Sequence, residues 1–162
     1  ERLMAWLPAN VPSSDETTLT HGDYRIDNLI FETSAPRARA VIDWELSTLG
    51  HPLADLAYVC MLYHVALPNV GGLLGVDFEA SGIPTESAFV EDYARFAGKG
   101  EIPELAYFKA FSLFRLAAIS QGVYKRSLLG NASSENATLF GAAVQTLSDI
   151  GDRIRHASVC NR

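Results

Sequence analysis

From Pro103 to about Leu128 the chain carries a helical pattern that is apolar nearly all round. Leu105, Phe108, Phe111, Leu113, Phe114, Leu116 and Ile119 leave it no continuous polar face. Such a helix predicts burial on several sides, so the rest of the chain has to fold around it. Suitable covers are present. From about Ser134 to Arg155, Leu139, Ala143, Leu147, Ile150 and Ile154 form one stripe, and Arg153, Arg155 and His156 suit the negative end of a helix dipole. From Pro52, a good first helical residue, Leu53, Leu56, Cys60, Tyr63 and Leu67 recur at three- and four-residue spacing. A further helix is expected over 85–97, after a glycine-rich loop over 68–83.

At 162 residues, 48% hydrophobic and 20% charged, the chain suits one domain with a substantial core. No apolar run reaches the roughly 18 residues of a membrane span. A net charge of −6 without a basic stripe argues against nucleic acid as a partner. Cys60 and Cys160 make neither a disulfide framework nor a CxxC metal signature, which points to a reducing cytoplasm. The glycosylation-type triplets at Asn131 and Asn136 are read as chance matches. Glu1–Leu7 resembles the end of a helix closed by Pro8, followed by a linker over 9–18, so the chain is expected to be an excerpt of a longer protein.

The chemistry-bearing residues lie between these helices, in His21-Gly22-Asp23-Tyr24-Arg25-Ile26-Asp27-Asn28 and Val41-Ile42-Asp43-Trp44-Glu45. Leu29–Glu32 and Arg39–Ile42 read as two short strands joined by a turn at Ser34–Arg37. A turn centred between Ala35 and Pro36 would set Leu29 opposite Ile42, Phe31 opposite Ala40 and Asn28 opposite Asp43. Directly opposed residues have Cβ atoms about 5 Å apart, a gap one Mg²⁺ can bridge with its oxygen bonds near 2 Å. Asp23, from the loop entering the first strand, would face the same pocket. A hard-oxygen metal shell with a carboxylate to orient an attacking hydroxyl is what phosphoryl transfer requires.

His-Gly-Asp, four residues, Asn, a hairpin and then Asp resembles the catalytic core of the aminoglycoside phosphotransferase-like kinases, relatives of the protein kinases. The resemblance is closer to the kinase-like domain of acyl-CoA dehydrogenase family members ten and eleven and their bacterial relatives. It rests on His21–Phe31, Asp43–Ala57 and Phe114–Tyr124 and spans nearly the whole chain. It implies an α+β, mostly helical fold: the C-terminal lobe of a protein-kinase-like fold, with one small β-hairpin carrying the catalytic loop. It implies Asp23 as catalytic base and Asn28 and Asp43 as Mg²⁺ ligands. It also implies that Asp55 supports the catalytic loop by accepting backbone hydrogen bonds; a carboxylate in the first helical turn is favoured there in any case.

His21 is expected to organise that loop rather than transfer protons. Glu45, two residues past Asp43, would point the same way on an extended chain. Arg115 interrupts an apolar helix and needs a partner. The simpler expectation is an internal ion pair with an aspartate; the other is a cation at the substrate site with Gln121 and Tyr124. Arg25 is a further candidate substrate contact. Cys60 and His64 are expected to face the core.

A kinase also needs a nucleotide-binding lobe with a phosphate-binding lysine, and residues 1–162 contain no recognisable one. The chain therefore reads as the catalytic and substrate lobe of an ATP- and Mg²⁺-dependent phosphotransferase, partnered by an N-terminal lobe of the same protein. Its acceptor would be a small-molecule hydroxyl, which the resemblance implies to be that of a hydroxy acid or hydroxyacyl-CoA, with the helices after Pro84 forming much of the pocket. A catalytically silent kinase-like binding module and a metal-dependent hydrolase are the alternatives.

Overall fold

The computed structural model describes residues 1–68, 71–131 and 139–160. Six helices and two small antiparallel ladders follow in chain order: α1 (Arg2–Ala9), β1 (Thr18–Thr20), β2 (Leu29–Phe31), β3 (Ala38–Val41), β4 (Thr48–Gly50), α2 (Leu53–Cys60), α3 (Phe78–Ser81), α4 (Glu86–Phe96), α5 (Leu105–Leu128) and α6 (Leu139–Cys160). Single 3-10 turns lie at Ile26–Asn28, Trp44–Leu46 and Met61–His64.

α5 is the axis of the domain, and three neighbours divide its circumference. Leu113 and Ala117 pack with Ala143, Leu147 and Ile150 of α6. Leu105 and Phe108 pack with Leu53, Leu56, Ala57 and Cys60 of α2. Ala110 meets Leu3 and Leu7 of α1. The cover is incomplete. Phe111 and Ile119 stay exposed. In α6 the expected stripe is buried at Ala143, Leu147 and Ile150 and partly buried at Ile154, while Leu139 is exposed. At Gly151 a β-carbon would lie 2.8 Å from a Leu3 methyl, so the close approach of α1 to α6 depends on a residue without a side chain. The helix start expected at Ser134 and the second glycosylation-type triplet fall within 132–138, outside the described residues.

The helix after Pro52 is shorter than its periodicity suggests. It passes into the 3-10 turn at Met61–His64, and Leu67 instead bridges Gly71. The loop over 68–83 contains the one-turn α3, whose Asp77 side chain caps the Ala80 N–H. Thr85 caps α4 through the Ala88 N–H. Cys60 is fully buried, and burial pushes its thiol pKa up to about 12, so it stays protonated. His64 does not face the core. It pairs at 2.8 Å with Glu86, whose other oxygen takes Lys109 at 2.7 Å, and this cluster ties α4 to α5.

Leu147 is fully buried in the α5–α6 interface. Leu147→Ala should destabilise the domain by about 2–5 kcal/mol, read by urea denaturation. A loss of well under 1 kcal/mol would mean the interface relaxes around the cavity.

Candidate active site

Two ladders frame the catalytic loop. β1 pairs with β4 (Thr18 with Gly50, Leu19 with Leu49, Thr20 with Thr48), and Thr20 Oγ1 donates to the Thr48 carbonyl at 3.0 Å. The linker expected over 9–18 thus ends in a strand that leads directly into His21. β2 and β3 form the second ladder, in a register one residue from the expected one: Leu29 opposes Val41 and Ile30 opposes Ala40. A bulge then sets Phe31 opposite Ala38. Asn28 consequently lies opposite Ile42, whose N–H donates to the Asn28 carbonyl at 2.9 Å. The bulge takes up a residue that a regular hairpin would have paired.

Asn28 and Asp23 are joined without the strand pairing. The 3-10 turn at Ile26–Asn28 swings the buried Asn28 side chain back over the loop. There Nδ2 donates to the Asp23 carbonyl at 2.9 Å and to Asp23 Oδ2 at 3.3 Å. The amide nitrogen is thereby committed, and Oδ1 is left as an acceptor. Asp43 follows β3 with φ 64° and ψ 55°, alone among the described non-glycine residues in having a positive φ. Such a conformation costs about 1–2 kcal/mol and clusters at functional sites. Its exposed carboxylate accepts no hydrogen bond among the described residues. Both groups are hard oxygen donors, and Mg²⁺ asks for only one or two protein ligands when phosphates supply the rest. The pair fits that ion.

The loop itself is tightly held. Asp55 accepts the His21 N–H at 2.7 Å and the Gly22 N–H at 2.9 Å. His21 is buried, and its Nδ1 accepts the Asp23 N–H at 3.3 Å. Nε2 therefore carries the proton and donates to the Ile42 carbonyl at 2.8 Å, linking the loop to the end of β3. With both ring nitrogens used, His21 organises backbone. Trp44 lies against it, ring centroids 4.8 Å apart.

The other candidates divide. Arg25 is exposed and pairs with Asp27 of its own loop, while remaining within electrostatic reach of Asp23 and Tyr58. Glu45 is exposed in the 3-10 turn after Asp43, so the extended spacing that would align the two does not occur. Arg115 reaches the site but pairs with no aspartate among the described residues. It donates to the Gly22 carbonyl, and its guanidinium carbon sits 4.9 Å from the Tyr58 ring centroid. Gln121 and Tyr124 do not join it. Tyr124 is nine residues on, half a turn round the helix and about 13 Å along it, where its ring lies against Gly141 of α6. Gln121 is exposed.

Tyr58 is a site residue that the motif reading misses. It lies one turn beyond Asp55 on α2, a spacing that shares a helical face. Burial pushes its phenol pKa up, and the Asp23 carboxylate beside it adds to the rise. Next to the loop lies a groove of about 540 Å³, bounded by β1, α2 and α4 and lined largely by Leu19, Tyr24, Leu56, Phe89, Tyr93 and Phe96.

Comparison with known proteins agrees with this geometry. The model of a family described as phosphotransferase enzymes matches residues 1–107. The chain is 45% identical over 152 residues to mouse acyl-CoA dehydrogenase family member 10, covering 93% of this chain and 14% of that protein. It is 44% identical over 157 residues to human acyl-CoA dehydrogenase family member 11, covering 93% of this chain and 20% of that protein. A crystal structure of a candidate aminoglycoside phosphotransferase from Ralstonia eutropha JMP134 superposes with a TM-score of 0.87 at 42% identity. That superposition covers 94% of this chain and 47% of the other. The chain thus spans a minor part of each of these relatives.

Proposed function

Because this chain belongs to the phosphotransferase enzyme family, we propose that it is the catalytic lobe of an ATP- and Mg²⁺-dependent kinase acting on a small-molecule hydroxyl. The observation that carries the proposal is the pair of bonds from Asn28 Nδ2 to Asp23, which puts a carboxylate and a free amide oxygen in one site. Asp23 orients the acceptor alcohol and takes its proton as the new O–P bond forms and the bond to the ADP oxygen breaks. Asn28 and Asp43 would hold Mg²⁺, which neutralises the β- and γ-phosphate charge when bound. The Asp55 and His21 bonds keep the loop in place through the transfer.

The adenine pocket and the phosphate-binding lysine would come from an N-terminal lobe of the same protein, and the enzyme would work in the cytoplasm. No described helix is long and apolar enough to cross a membrane. The described residues contain no group of three or more His, Cys, Asp or Glu side chains able to hold a metal, which counts against a two-metal hydrolase.

The groove favours an acceptor with an apolar body. A polycation such as an aminoglycoside would want free carboxylates. Of the two in the groove lining, Asp55 is spent on the loop backbone and Asp92 pairs with Arg95 at 2.7 Å. A hydroxy acid or a hydroxyacyl-CoA suits the aromatic lining better, in keeping with relatives named as acyl-CoA dehydrogenase family members.

The test is a screen of the full-length protein with ATP and Mg²⁺ against hydroxy acids, their CoA esters, amino alcohols and aminoglycosides, read by product mass. Phosphorylated hydroxy acid or CoA ester is the expected product. Phosphorylation of aminoglycosides alone would overturn the acceptor class, and phosphate release that needs no ATP would overturn the reaction. In the same protein Asp43→Ala should weaken Mg²⁺-dependent ATP binding by at least about tenfold. Unchanged turnover in that variant would remove the metal assignment.

A further inference from the structure

The catalytic loop is gripped from two sides at one residue. Asp55, on α2, takes the N–H groups of His21 and Gly22, while Arg115, on α5, donates to the carbonyl of Gly22. The same arginine covers the Tyr58 ring, a cation–π contact in a half-buried setting. Tyr58 lies one turn beyond Asp55 on α2, and after burial the Asp23 carboxylate is the next cause that raises its phenol pKa. Arg115 therefore joins a carbonyl of the catalytic loop to the ring of an α2 residue that senses the acid that would act as base. The Tyr58 ring also packs against the core that contains Met61, Leu113 and Leu147, so the guanidinium covers a ring already seated between α2 and α5. Arg115 meets no aspartate among the described residues, and Gln121 and Tyr124 turn away from it.

We propose that Tyr58 and Arg115 are positioning residues that hold the Asp23 carboxylate and the Gly22 peptide in the geometry for proton transfer, rather than contacts to the substrate. This rests on the assignment of Asp23 as the base. The division of labour is physical. Asp55 holds the N–H of the His21–Gly22 peptide and Arg115 the carbonyl of the Gly22–Asp23 peptide, so each of the two peptide planes flanking Gly22 is restrained. The Tyr58 phenol limits which way the carboxylate points, and the guanidinium keeps the phenol ring in place. Displacing a reacting group by about 1 Å can cost a hundredfold in rate.

The experiment uses the full-length protein with Mg²⁺-ATP and the fastest acceptor from the screen, and compares Tyr58→Phe, Arg115→Ala, Arg115→Lys and Asp23→Asn. Tyr58→Phe keeps the ring under Arg115 and should lower kcat about tenfold. Arg115→Ala should lower it about a hundredfold. KM for the acceptor should stay within about twofold in both, as expected of groups acting through the loop geometry. Added guanidinium ion, at concentrations far below denaturing, should restore part of the Arg115→Ala rate, and Arg115→Lys should fall between. The two losses should be less than additive, because the residues act as a unit.

Amide exchange, which needs no acceptor, should quicken over residues 21–28 in Arg115→Ala and stay unchanged over Leu139–Cys160. A raised acceptor KM with unchanged kcat would overturn the proposal in favour of substrate binding. Unaltered exchange of the loop, or unaltered kcat in Tyr58→Phe, would overturn it too. If Asp23→Asn keeps its turnover, the assignment beneath it fails. If Asp23→Asn is inactive while Tyr58→Phe is unchanged, the brace alone fails.

Discussion

Asp23→Asn in the full-length protein should lower kcat by about three orders of magnitude, close to 4 kcal/mol of transition-state stabilisation, while ATP affinity changes little. The asparagine keeps the shape of the side chain but cannot accept the acceptor's proton. The loop should survive the change. Its backbone is held by Asp55, His21 and Arg115, and the bond from Asn28 Nδ2 to the residue 23 carbonyl does not involve the side chain at all. The two proposed metal ligands are untouched, which is why nucleotide binding should persist. Steady-state kinetics with a parallel ATP titration separates the two quantities. Turnover within a few-fold of wild type would remove Asp23 from the chemistry.

Gly22→Ala should be nearly as damaging, for a steric reason. Gly22 has φ 83°, and a β-carbon there would sit 2.4 Å from the Leu46 carbonyl oxygen. The left-handed backbone costs an alanine about 1–2 kcal/mol before any clash. Relief of the clash requires either Leu46 or the loop to move, and both choices disturb the site. Leu46 ends the 3-10 turn that follows Asp43, and Gly22 precedes Asp23. We expect a stability loss of about 2–4 kcal/mol, read by urea denaturation. A fall in kcat of at least about a hundredfold should accompany it. An alanine variant with native stability and native turnover would show that the close packing of the loop on Leu46 is dispensable.

Both outcomes bear on how far the site is legible in sequence. Asp23 and Asn28 are readable because their spacing is local. A five-residue separation ending in a 3-10 turn folds the amide back onto the aspartate, whatever the strands do. Asp55 is different: the helix dipole explains a carboxylate in the first turn, but its hold on the His21 and Gly22 N–H groups, 34 and 33 positions away, was implied only by the family resemblance. The hairpin register is not readable. The turn already sets Phe31 opposite Ala38 instead of Ala40, and the bulge between Ile30 and Phe31 recovers only one of those two residues, so the expected facing of Asn28 and Asp43 gives way to Asn28 opposite Ile42. Glu45 fails as a neighbour of Asp43 because the extended spacing it relied on is replaced by a left-handed residue and a 3-10 turn.

The α5 candidates fail by arithmetic that the helix itself supplies: nine residues put Tyr124 on the face opposite Arg115. Tyr58 was hidden because an aromatic residue in an apolar helix looks like core until its polar end is seen beside Asp23. The ladder of β1 with β4 is not legible in sequence, because each strand is three residues long and has no alternating burial pattern.

By itself the sequence determined the class of fold and pointed to phosphoryl transfer as the reaction to propose. Helical periodicity and the His-Gly-Asp spacing are short-range properties, encoded within a few residues of each other. What only the tertiary structure decided is how remote parts meet: the bulged register, the groove between β1, α2 and α4, and above all the partner of Arg115. That side chain is 93 positions from Gly22 in the chain. No local rule relates the two; the packing of α5 against α2 does, by carrying the guanidinium to a carbonyl of the loop.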